Sequence, residues 1–175
     1  LDVSVYVTVN ILIGDSELTA LEAYLKDLER IGVDAIIVQD LAVAKLAQRV
    51  APKLHLHGST QMTAATLDAV CFYESLGFTR VVLARELSLR EIEHICKNCA
   101  AEIEVFVHGA LCVCYSGQCL MSSFIGGRSG NRGACAQPCR LPYELLDSSG
   151  TSLLPKHEAY LLSPKDLNYS EHMNE

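Results

Sequence analysis

Leu1-Asp2-Val3-Ser4-Val5-Tyr6-Val7-Thr8-Val9-Asn10 alternates apolar and polar residues and stops at Asn10, the pattern of a strand whose two faces meet different surroundings. Ser16 to Ile31 follows with helical spacing, and the same pair then recurs. Ala35 to Gln39 is a second strand, with Leu41 to Val50 helical up to Pro52. Leu54 to Gly58 is a third, followed by the helical Met62 to Leu76 and the stop at Gly77. Arg80 to Ala84 is a fourth. Its helix runs from about Ser88 to Cys99 and opens with the capping-box pattern Ser88, Leu89, Arg90, Glu91. Glu104 to His108 is a fifth strand. Strands alternating with helices imply parallel β/α architecture, because a parallel connection needs a crossover.

No glycine-rich dinucleotide turn follows any strand, so the expected fold is a partial TIM-like (β/α) barrel rather than a Rossmann sheet. Polar residues recur at the carboxyl ends of the strands: Asn10, Gln39 with Asp40, Ser59 with Thr60, Arg85 with Glu86, and His108. That rim carries the chemistry of β/α barrels. Alternation adds that if Val5, Val7 and Val9 face the helices, Tyr6, Thr8 and Asn10 face inward. By the same parity His55 and His57 face inward from the third strand, and Glu104, Phe106 and His108 from the fifth. Burying several polar groups is costly unless something requires them, so this polar interior points to a ligand cavity. The candidate catalytic residues are therefore His108, Glu86, Arg85 and His57. Asn10, Gln39 and Asp40 are candidates for substrate contact.

The 175 residues are 50% hydrophobic and 20% charged with a net charge of −7, which excludes disorder and broad electrostatic capture of nucleic acid. No apolar run is long enough to span a membrane, and Leu1 to Asn10 does not open as a signal peptide, so a cytoplasmic location is expected. Eight cysteines in a reduced compartment suggest metal or redox chemistry before disulfides. Cys71, Cys96 and Cys99 are scattered and read as small buried hydrophobes. Cys112, Cys114, Cys119, Cys135 and Cys139 are clustered.

Past Gly109 the periodicity lapses, which divides the chain into barrel units at 1–109, a Cys/Gly/Arg-rich loop at 110–143 and a continuation of the barrel at 144–175. Regular structure is expected to resume at Leu161 and Leu162, with Ser163 to Asp166 leading into a helix. Cys112, Cys119, Cys135 and Cys139 offer four thiolates, as a tetrahedral metal or an iron-sulfur cluster requires. Only Cys135 and Cys139 have the close spacing usual for zinc, which favours a cluster and leaves zinc as the alternative; Cys114 could replace Cys112. Gly126 to Gly133, with Arg128, Arg132 and nearby Arg140, forms a cationic loop suited to carboxylate or phosphate.

Phe106 to Cys112, Tyr115 to Cys119 and the run from Gly126 to Arg140 resemble the signature of the collagenase-like peptidases, unassigned-type family thirty-two. Further matching stretches are Thr8 to Asn10, Val38 to Asp40, Ser59 to Met62, Leu83 to Glu86 and Leu162 to Leu167. The resemblance implies a TIM-related barrel. It also implies either collagen degradation or hydroxylation of transfer or ribosomal RNA bases or of ubiquinone precursors, with a 4Fe-4S cluster on cysteines of this region. In RNA-modifying members prephenate serves in the hydroxylation. By position Cys112, Cys119 and Cys135 match the family's cluster ligands. Cys139 stands where some branches use a ligand from further downstream.

The expected function is iron-sulfur-dependent hydroxylation of an RNA base, with the arginine loop holding RNA or a small anionic co-substrate. A peptidase acting on a peptide substrate is the alternative, although the chain has no His-Glu-x-x-His helix and no Gly-x-Ser-x-Gly elbow. A third reading is a non-catalytic metal-binding partner in a hetero- or homo-oligomeric hydroxylase. A complete barrel needs about 250 residues, so the chain is expected to be a fragment, beginning within a strand and ending in a new helix.

Overall fold

The computed structural model describes residues 3–155 and 158–173. They fall into two compact units, divided between Val105 and Phe106. The first is a run of β/α units: β1 (Tyr6–Val9), α1 (Leu18–Ile31), β2 (Ala35–Val38), α2 (Leu41–Val50), β3 (His55–Gly58), α3 (Leu67–Ser75), β4 (Phe78–Val82), α4 (Leu89–Asn98) and β5 (Glu102–Glu104). The strands form one sheet in the order β1-β2-β3-β4-β5, with every pair parallel.

Local chemistry sets the helix boundaries. Asp40 caps α2 by accepting from Ala42 N at 2.8 Å. The expected capping box at α4 is present: Ser88 Oγ accepts from Glu91 N, and Glu91 returns the bond to Ser88 N at 2.7 Å. The helix expected from Met62 starts five residues later. Ser59 to Thr63 instead forms a tight turn with Thr63 at φ 58, and Thr66 caps α3 through Ala69 N. α1 buries Leu21, Leu25 and Leu28, one stripe of its surface.

The helices and sheet share their apolar side chains. Val9, Ile36, Val38 and Leu56 pack with Leu25, Leu28, Val43 and Ala47, while Val81 and Leu83 pack with Val70 and Ile95. Each such valine, leucine or isoleucine contributes roughly 1.5–3 kcal/mol by leaving water. The alternate positions lie on the opposite face, where the register sets His57 beside Arg80 and Arg80 beside Glu102. The inward parity expected for Tyr6, His55, His57 and Glu104 therefore matches the register. A register shift between Leu56 and His57 brings β4 into this pattern.

The fifth strand differs from expectation. It spans Glu102–Glu104 rather than Glu104 to His108, because β4 ends at Val82 and the last ladder group, Leu83 N, is taken by Glu104 O. Val105 and Phe106, just past the ladder, are exposed. His108 belongs instead to the second unit, in β6 (His108–Gly109), which pairs antiparallel with β7 (Leu167–Asn168).

The rest of the second unit holds α5 (Met121–Gly126) and short 3-10 turns at Tyr115–Gly117, Gly130–Arg132 and Pro138–Arg140. Regular structure resumes at Leu167 rather than Leu161, and the expected C-terminal helix appears as a single turn at Ser170–His172. The expected opening of the chain within a strand at Leu1, and its end at Glu175, lie outside the described residues. Among the described residues no helix is long and apolar enough to cross a membrane.

Candidate functional site

The carboxyl ends of β1, β2 and β3 are joined by amides. Asn10 Nδ2 donates to Gln61 Oε1 at 3.0 Å, and Gln39 Nε2 donates to the Asn10 carbonyl at 2.7 Å. Ser59 Oγ donates to the same Gln61 oxygen at 3.4 Å. Thr60 Oγ1 donates to Leu83 O and ties this rim to the end of β4. Asp40 has a different occupation: one carboxylate oxygen caps α2, and the other accepts from Ile13 N at 3.0 Å. Arg85 and Glu86 occupy the turn between β4 and α4, the first half-buried and the second exposed.

On the polar face of the sheet, the His57 ring meets the Tyr6 ring edge-on, with centroids 4.7 Å apart. The Arg80 guanidinium lies 5.0 Å from the centroid of the same tyrosine. Arg80 Nε donates to Glu102 Oε2 at 2.8 Å, and its Nη1 donates to Glu104 at 3.4 Å. The Glu102 hydrogen bond holds the Arg80 pKa above its ordinary value, and Arg80 holds Glu102 below its own. His57 is 4% exposed, and its Nδ1 has no hydrogen-bond partner among the described residues. Burial, followed by the Arg80 charge, pushes its pKa down to about 4, so the imidazole is neutral at pH 7. It can exchange hydrogen bonds there but does not act as an imidazolium acid.

In the second unit, the chain folds its thiols towards one another. Cys114 and Cys119 are hydrogen-bonded, and that bond, burial and the nearby Cys119, Cys112 and Cys139 raise the Cys114 pKa. Gly130 stands between the Cys119 and Cys135 segments: a Cβ there would lie 3.5 Å from Cys135 Cβ and 3.8 Å from Cys119 O. Two backbone amides point at sulfur. Met121 N donates to Cys119 Sγ and Gln137 N to Cys135 Sγ, both at 3.3 Å. Among the described residues no three His, Cys, Asp or Glu side chains stand in metal-binding geometry. The donor set fits an iron-sulfur cluster in kind: it is all thiol, on turns, with N–H groups directed at two of the sulfurs.

The three arginines are placed differently. Arg128 Nε donates to Ala134 O at 3.0 Å and closes the loop on itself. Arg132 ends the Gly130–Arg132 turn. Arg140 is a clamp: Nη2 donates to Leu111 O at 2.9 Å, and Nη1 donates to Ser163 Oγ and Pro164 O at 3.1 and 3.2 Å. It also faces Asp166 at 3.5 Å. Its guanidinium fixes the residue before Cys112 to the downstream segment.

Residue patterns alone did not single out Gln61, Arg80 or the Cys114–Cys119 bond. Arg80 could have been found from its parity, since it alternates with Val81 as His57 does with Leu56. The outlying cysteines depart from expectation: Cys71 and Cys96 are exposed and Cys99 is half-buried. On α4 the buried position is Ile95, and the neighbouring residue is turned about 100° away from it.

The profile of peptidase family U32 matches residues 1–175. The chain is 46% identical over 162 residues to the 23S rRNA 5-hydroxycytidine C2501 synthase of Escherichia coli (strain K12), covering 93% of this chain and 24% of that protein. It is 41% identical over 171 residues to tRNA hydroxylation protein P1 of Bacillus subtilis (strain 168), covering 95% and 40%. Against the collagenase of Porphyromonas gingivalis (strain ATCC BAA-308 / W83) the identity is 34% over 180 residues, covering 97% and 43%. The solved structure of the U32 peptidase Mk0906 matches with a TM-score of 0.53 at 18% identity, over 62% of this chain and 47% of that one, a likeness of fold alone. The chain spans less than half the length of each of these proteins.

Proposed function

The chain belongs to peptidase family U32, and from that premise we propose that it is the part of an RNA-hydroxylating enzyme that carries a thiolate-bound 4Fe-4S cluster. The observation that carries this reading is the gathering of Cys112, Cys114, Cys119 and Cys139, with amide N–H groups on the sulfurs of Cys119 and Cys135. The names of the Escherichia coli and Bacillus subtilis relatives support RNA as the substrate. With helix-packed apolar residues on one face of the parallel sheet and polar ones on the other, the first unit suits a TIM-like barrel.

In this reading Cys112, Cys119, Cys135 and Cys139 hold the cluster, with Cys114 as a hydrogen-bonded neighbour. A bound cluster supplies one-electron transfer. Arg128 and Arg132 neutralise an anionic partner, either an RNA phosphate or the carboxylates of prephenate as co-substrate. The Asn10, Gln39 and Gln61 amides present donor and acceptor edges at the carboxyl rim, and His57 contributes a neutral imidazole beneath it. Arg85, Glu86 and His108 are the remaining groups for substrate contact. An RNA substrate would suit a cytoplasmic location.

Anaerobic purification of the full-length protein, with iron, acid-labile sulfide and zinc analysis, tests the cluster. Iron and sulfide in equal amounts, lost in Cys119→Ser, are expected. Zinc without iron, together with cleavage of collagen, would favour the peptidase that the Porphyromonas relative's name suggests.

A further inference from the structure

All 21 carboxylate side chains of this chain lie outside Phe106–Leu141, a stretch that contains three arginines. On a protein of net charge −7 that is a local reversal of sign, and it coincides with the cysteine-bearing turns. The largest exposed apolar group is there too. Phe124 is 84% exposed, more than any other large apolar side chain among the described residues, and Leu120 and Ile125 beside it are 57% and 62% exposed.

The exposure of Phe124 is built in rather than a result of fraying. Two residues earlier on α5, Ser122 is buried, and its Oγ accepts from Ala136 N at 2.9 Å. An α-helix turns about 200° over two residues, so anchoring Ser122 against the 136 segment sends Phe124 to the opposite side. The helix end is closed on itself. Gly127, at φ 66, donates to Ser123 O at 2.9 Å, the bond of an αL cap, and Arg128 N donates to Ser122 O at 3.1 Å. The cap returns the Arg128 backbone to the turn that bears Phe124. Arg128 uses Nε on Ala134 O, and its Nη groups bond no described residue.

An outward aromatic ring four residues before an arginine whose Nη groups bond no described residue, on an acid-free segment of an acidic protein, is a combination suited to unpaired nucleic acid: the ring stacks on a base and the cation meets a phosphate of the same strand. A segment without carboxylates of its own complements a polyanion better than it complements a protein surface of mixed sign. We propose that Phe124 is a stacking platform for an unpaired base of the RNA substrate and that Arg128 binds the phosphate beside it. This rests on the RNA-hydroxylase reading and adds to it how the strand is held.

The test uses the full-length holoenzyme and fluorescence anisotropy on a labelled single-stranded RNA oligonucleotide and on a duplex of the same sequence. Phe124→Ala is expected to weaken single-strand binding by roughly 5- to 100-fold, whereas Phe124→Trp keeps it. Duplex binding is unchanged in both. Arg128→Gln is expected to weaken binding and to lower the slope of log affinity against log salt by about 0.7. The platform is overturned if Phe124→Ala binds the single strand like wild type. It is also overturned if Phe124→Leu binds as well as Phe124→Trp, or if Phe124→Ala instead dissociates an oligomer in size-exclusion chromatography, which would mark a protein interface. Wild type that binds and hydroxylates RNA while Phe124→Ala is unaffected sinks the platform alone. Wild type that binds no RNA sinks the hydroxylase reading with it.

Discussion

His57 and Tyr6 meet edge to face across the sheet, with ring centroids 4.7 Å apart and planes at 74°, although they come from β3 and β1. The contact joins a buried neutral imidazole to a ring that also lies beneath Arg80. The burial of that imidazole gives it a pH dependence. Because the folded pKa of His57 is about 4, the unfolded chain binds the proton more readily between about pH 6.5 and 4. This group therefore causes no loss of stability above about pH 6.5 and a progressive loss as pH falls towards 4, totalling up to about 3 kcal/mol. Urea titrations at pH 7 and pH 4.5 check it: the stability difference is expected to shrink in His57→Gln, and an unchanged difference counts against the assignment.

Arg80 supplies part of that shift. In Arg80→Met the His57 resonance, followed by NMR through a pH titration, is expected to titrate higher than in wild type and still below the ordinary histidine value, because burial is the larger cause. A titration midpoint that stays put or falls would show that the Arg80 charge does not act on the ring.

Arg140 fixes the start of the cysteine segment. Arg140→Met leaves the Leu111 and Pro164 carbonyls without their charged donor, which costs about 2 kcal/mol and loosens Cys112. Alkylation followed by peptide mass spectrometry is expected to show faster labelling of Cys112 in the cluster-free protein. Arg140→Lys should not restore the wild-type rate, since one ammonium cannot span the acceptors that the guanidinium fork reaches. Full restoration by lysine would mean that charge alone matters.

The α4 cap bears on stability. Ser88→Ala removes the acceptor for Glu91 N and the reciprocal partner of its carboxylate, and should cost about 1 kcal/mol in chemical denaturation.

The β/α order was legible because each strand's alternation and each helix's cap are local properties: Asp40 and Ser88 announce α2 and α4 by residue type alone. The early end of β5 was not legible, because it depends on where β4 runs out of groups to pair, a fact about another strand. Ser59 to Thr63 carries helix-compatible residues, but the bond from Gln61 N to Ser59 Oγ and the positive φ of Thr63 turn it another way. In the second unit, residue types marked the cysteines and arginines as chemistry. Spacing could not divide their labour: Arg140 became a clamp through carbonyls 24 to 29 residues away, and Cys114 acquired a partner in Cys119. The exposed phenylalanine on α5 gave no periodic signal, since six residues hold less than two turns.

The central claim is that the gathered thiols serve RNA hydroxylation, and nucleoside mass spectrometry tests it most directly. RNA from cells lacking the gene is compared with RNA from cells complemented by the wild-type or the Cys119→Ser full-length protein. The account predicts a hydroxylated base that disappears on deletion and returns with wild type but not with Cys119→Ser. An identical set of hydroxylated nucleosides in all three would contradict it.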